Sequence, residues 1–127
     1  MRKTTLILVF CWLVFTLLIG CSPKPEGQDP AKVKIELTSE PTAVQTGQTV
    51  KLIATLSGLA NEEEPNVQID IRKSDNSILP DTKNANSIGN GQYSVEKIFN
   101  HPGAYSIYIH VYQGDLHITK KKELQVS

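Results

Sequence analysis

Along most of this 127-residue chain, hydrophobic and polar positions alternate with a period of two. Val33, Ile35 and Leu37 alternate with Lys34, Glu36 and Thr38, the pattern of a half-buried strand. Pro41 and Gly47 interrupt it, and a second run puts Val50, Leu52, Ala54 and Leu56 on one face. Residues 57–66, SGLANEEEPN, read as a loop, and Val67, Ile69 and Ile71 mark a third strand. Residues 73–91 are rich in Ser, Asp, Asn, Gly and Pro and hold at most one short strand near 82–88. Asn90-Gly91 signals a hairpin, because a type I′ turn needs positive φ at both central positions. It sets Ile88 opposite Tyr93 and opens a strand over 92–99. The corner Asn100-His101-Pro102-Gly103 leads into Tyr105, Ile107, Ile109 and Val111, which alternate with Ser106, Tyr108, His110 and Tyr112. A final strand runs from about His117 to Val126. Nothing shows a helical period, and Pro or Gly recurs between the runs. The expectation is an all-β fold, an immunoglobulin-like β-sandwich of about seven short strands. Tyr105, two residues past Gly103, holds the place of a tyrosine corner. Leu52 and Ile107 stand where a true immunoglobulin domain carries its disulfide cysteines.

The start of the chain departs from alternation. Leu6 to Ile19 is an almost unbroken apolar run behind Arg2 and Lys3, and it ends Leu18-Ile19-Gly20-Cys21. A spanning helix wants about 20 apolar residues, and this run is shorter. An ordinary cleaved signal peptide gives no reason for a cysteine at 21. A small residue before cysteine, after a basic and then an apolar segment, resembles the lipobox of bacterial lipoproteins. That resemblance implies a diacylglyceryl group on the Cys21 thiol and cleavage just before it. The expected organisation is therefore a signal peptide over 1–20, the lipidated Cys21 and a flexible linker over 21–30, and one domain over 31–127. The linker, SPKPEGQDP after Cys21, contains three prolines and no large apolar residue. Cys21 then tethers the protein to the outer face of the cell membrane.

Composition changes the picture in two places. Without Arg2 and Lys3 the mature chain keeps 11 basic against 13 acidic residues, so no basic face for nucleic acid is expected. With Cys11 removed and Cys21 lipidated, no disulfide can staple the domain, and its stability rests on the hydrophobic core.

The C-terminal half, GQYSVEKIFNHPGAYSIYIHV followed by GDLHITKKKELQV, resembles the YtkA-like (FixH-like) domain of bacterial lipoproteins. The matching positions are Gly91, Tyr93, Phe99, Gly103, Tyr105, His110, His117, Lys120 to Lys122, Leu124 and Val126. The resemblance implies a β-sandwich outside the membrane and an accessory role in copper handling or respiratory oxidase assembly. Relatives often carry methionines around the two histidines, whereas this mature chain has none. Thioether ligands suit Cu(I), so their lack weakens the case for a cuprous site.

The candidate metal ligands are His110 and His117. A two-residue turn at Gln113-Gly114 sets Tyr112 opposite Asp115, Val111 opposite Leu116 and His110 opposite His117. The two imidazoles then face each other across the hairpin, with Cβ atoms about 5 Å apart. Together they can share a divalent ion such as Cu(II), with Asp115 as a third ligand. The plainer reading is a pair of solvated surface histidines, since two ligands alone make a weak site. His101 reads as a corner residue, Glu62 to Glu64 as a solvated loop, and Lys120 to Lys122 as the guard of an edge strand. No G-x-S-x-G, H-E-x-x-H or phosphate-binding glycine motif occurs, and an enzyme is not expected. The alternative to a metal-linked accessory is a structural or interaction module whose partner is another envelope protein.

Overall fold

The computed structural model describes residues 28–60 and 63–127. The signal segment, Cys21 and the linker up to residue 27 lie outside them. Eight strands are present: β1 (Lys34–Glu40), β2 (Thr49–Ser57), β3 (Asn66–Lys73), β4 (Asp81–Asn84), β5 (Asn86–Gly89), β6 (Gln92–Ile98), β7 (Gly103–Gln113) and β8 (Leu116–Val126). They form two antiparallel four-stranded sheets, ordered β1-β2-β6-β5 and β4-β3-β7-β8. That is the immunoglobulin strand order, with β4 added to the edge of the second sheet. The expected all-β sandwich is what the chain adopts.

Alternation decides which side chains enter the core. Val50, Leu52 and Leu56 from one sheet pack toward Ile69, Ile107, Ile109 and Val111 from the other, all buried. Leu52 and Ile107 are fully buried and apolar at the disulfide positions of the parent architecture. At the corner after β6, Phe99 meets Tyr105 edge-to-face with centroids 4.8 Å apart. The Tyr105 hydroxyl donates to the His101 carbonyl at 2.7 Å, so the tyrosine corner is present and the local hydrogen bond at His101 runs through its backbone.

The polar segment 73–91 holds two short strands where one was expected. β4 pairs with β3 and β5 with β6, so the chain crosses between sheets within the single residue Ala85, whose N–H donates to the Val67 carbonyl at 2.8 Å. Asn90 and Gly91 both have positive φ, 54° and 71°, as a type I′ turn requires. A register shift between Ser87 and Gly89 puts Ser87, not Ile88, opposite Tyr93 and leaves Ile88 exposed. Gly91 is obligatory here, because a Cβ on it would sit 2.7 Å from the Leu56 carbonyl oxygen.

β8 is a long edge strand, as its lysines suggest. Lys120 and Lys122 share the parity of Ile118 and Val126, so they point charges along the core side of a free edge. Inward-pointing charges of this kind block edge-to-edge pairing. The far end of β8 is covered instead: Val126 forms a parallel bridge with Val44, and the Ser127 carbonyl accepts from Thr46.

Candidate functional site

Among the described residues, the outer face of the β4-β3-β7-β8 sheet carries His110, His117, Tyr108, Tyr112, Asp70 and Arg72. Its rows follow from the register. Asn66, Tyr112 and His117 form one row, and Gln68, His110 and Thr119 the next. Asp70, Tyr108 and Lys121 follow, then Arg72, Ser106 and Glu123.

The hairpin turn is Gly114-Asp115, one residue later than expected, with Gln113 paired to Leu116 and Gly114 at φ 55°. His110 is therefore opposite Thr119, and His117 opposite Tyr112. The correction moves each partner by two residues, which preserves faces, so both histidines stay on the outer side but sit diagonally. Their ring centroids are 5.8 Å apart with planes tilted by 36°. Tyr112 stacks on His117 at 4.2 Å and lies 6.4 Å from His110. Thr119 stands between the imidazoles: its Oγ1 is 2.9 Å from His110 Nδ1 and 3.5 Å from His117 Nε2. Among the described residues no group of three His, Cys, Asp or Glu side chains is placed to hold a metal, so Asp115 does not complete a site.

Gln113 fixes where this cluster stands. Its side-chain amide donates to the carbonyls of Ala60 and Glu63, tying the hairpin to the loop after β2. The same loop holds the start of the described chain, for Gln28 donates to the Gly58 carbonyl and accepts from the Ala60 N–H. Residues 30–32 then make a single 3₁₀ turn capped by Asp29. The stacked rings thus lie at the end of the sandwich where the described chain begins.

A second cluster sits two rows away. Asp70 is buried although its parity places it on the outer face, and its Oδ2 accepts from Arg72 Nε at 3.0 Å and Nη2 at 2.7 Å. Asp70 raises the Arg72 pKa further, chiefly through the hydrogen bond and then through charge. The guanidinium also lies over the Tyr108 ring, 5.4 Å from its centroid. Asp70 Oδ1 is buried with no hydrogen-bond partner among the described residues. Thr119, Tyr112 and Asp70 were not among the expected site residues. For Thr119 and Tyr112 the signal was their shared parity with the histidines; for Asp70 there was none.

No protein-family model matches the sequence. Nor does any curated protein. Among solved structures the chain is similar to an alkylpurine DNA glycosylase, AlkC, of Pseudomonas fluorescens bound to DNA containing an abasic site analog, with a TM-score of 0.51 and 20% identity. The alignment covers 75% of this chain and only 30% of that one. At this identity the likeness speaks for the sandwich fold alone.

Proposed function

We propose that the chain is an extracytoplasmic lipoprotein of the YtkA-like type, tethered to the membrane through Cys21, that acts as a binding module. Its working surface is the outer face of the β4-β3-β7-β8 sheet. The observation that carries this reading is the stacked group of His110, Tyr112 and His117 on the outer face of the sheet, with Tyr112 and His117 exposed and His110 half-buried. Tyr and Arg are the residue types that anchor protein interfaces, and Tyr108 with Arg72 extends the same face. The partner class is an envelope protein, which fits a slightly acidic domain carried outside the membrane. A photo-crosslinking residue at Tyr112 in the full-length protein in cells is expected to capture a discrete partner that one at Thr38, on the other sheet, does not. Equal capture from both positions removes this face as the working surface.

The 5.8 Å spacing of the two imidazoles favours a second reading, a weak Cu(II) site that serves copper handling. Two nitrogen ligands suit Cu(II) before Zn(II). Binding by the full-length protein should weaken on acidification, because protonated imidazole cannot ligate. His110→Ala and His117→Ala should each remove most of the affinity measured by calorimetry. Copper bound as tightly by the double variant ends the copper reading and leaves the docking face standing.

A further inference from the structure

Four large hydrophobic side chains are exposed among the described residues, and two of them, Leu79 and Ile98, line one cavity. Leu79 is 89% exposed on the loop between β3 and β4, beside Pro80. The cavity, about 170 Å³, is walled by Ile71, Ile78, Phe99 and Tyr105. Small-molecule sites usually run from about 300 to 1,000 Å³, so this one has the scale of a single side chain. An open groove continues from it past Asp81, Lys97 and Ile98 to Thr49, Lys83 and Glu96. A projecting leucine therefore stands next to a hole of side-chain size.

The charges around this patch alternate. Asp81 accepts from Lys97 at 2.8 Å and lies 3.8 Å from Lys83, with Glu96 on the same groove. Two cations and two carboxylates leave the rim neutral, and each sign has its opposite within the same patch. Such a surface does not repel its own copy. A two-fold contact requires one patch to be complementary to itself, knob to hole and plus to minus.

We propose that this patch is a homodimer surface, with Leu79 of each copy seated in the cavity beside Ile98 of the other. Asp81, Lys97 and Ile98 line both the cavity and the groove, which puts Ile98 in the middle of the patch that the two copies would share. The rings at Tyr112 and His117 lie on a different face and remain free for another partner.

The test places one cysteine at Ile98 in the full-length protein and treats cell membranes with a short bismaleimide. The parent chain, with only Cys11 and Cys21, is the background. Ile98→Cys is expected to give a strong dimer band. Adding Leu79→Glu, at a site exposed enough to spare the fold, should reduce that band at least tenfold, while adding Tyr112→Ser should leave it within twofold. A Thr38→Cys control on the outer face of β1 should give no more than background. The proposal is overturned if Ile98→Cys cross-links no better than Thr38→Cys, or if the band survives Leu79→Glu.

Discussion

The Tyr105 hydroxyl and the His101 carbonyl show how much one polar contact decides at a corner. Both belong to a bend that must reverse the chain between the sheets, and Tyr105 is almost wholly buried. Tyr105→Phe keeps the ring against Phe99 but strands a carbonyl, at a cost of about 1–2 kcal/mol. Urea unfolding should show an earlier midpoint with an unchanged slope. Tyr93 makes a different kind of residue-scale statement. Burial, reinforced by the charge of Glu64, raises its pKa, and a hydrogen bond with Ser87 opposes the shift only in part. A phenol whose folded pKa lies above the ordinary value near 10 adds stability that is intact below pH 10. That contribution is lost as pH rises through the higher folded pKa. Tyr93→Phe should therefore flatten the alkaline decline of stability, and thermal melts of both proteins from pH 8 to 11 would show it. Equal alkaline slopes would exclude this role for Tyr93.

At the scale of elements, strand edges and turns separate what was legible in the sequence from what was not. Alternation gave the inner and outer faces of β2, β3, β7 and β8 correctly, because a half-buried strand writes its burial into every second residue. Register was harder. Moving the turn from Gln113-Gly114 to Gly114-Asp115 changes every cross-strand partner while keeping every face, so hydrophobicity alone cannot tell the two apart. The β4–β5 crossover at Ala85 was invisible for a related reason: β4 reads Asp-Thr-Lys-Asn with no apolar residue, and β5 is exposed throughout, so neither writes a hydrophobic alternation into the sequence. Tyr108 shows a further limit. Its parity marks it as a neutral surface position, yet it stands opposite buried Asp70, so an acidic residue there would meet a like charge. The edge strand β8 offers the sharpest test at this scale. Replacing Lys120 and Lys122 together by Ile and Val should preserve the fold and remove the charges that guard the free edge. Turbidity and light scattering should then rise well above wild type at equal concentration, and the change should be absent for Lys121→Ile on the outer face.

For the whole molecule, the core has no covalent staple and depends on the packing of two sheets. Ile109, fully buried at the centre of β7, is the position where an unpaired charge is least tolerable. Ile109→Asp should abolish the strand signal in circular dichroism, whereas Tyr112→Asp on the outer face should retain it. The two proposed surfaces occupy different parts of this frame. The stacked rings stand at the end where the described chain begins, and the Leu79 patch lies beside the loop joining β3 to β4.

The pairing of β1 with β2 has a mechanical consequence. β1 begins just after the 3₁₀ turn and runs away from the N-terminal exit for seven residues, each paired to β2 from Lys34–Ser57 to Glu40–Lys51. A pull applied at the start of β1 and directed along its axis loads those pairs in shear. They must yield together, where a perpendicular pull would unzip them in turn. A domain pulled from that end along β1 therefore resists separation of β1 from β2 until all seven pairs give way.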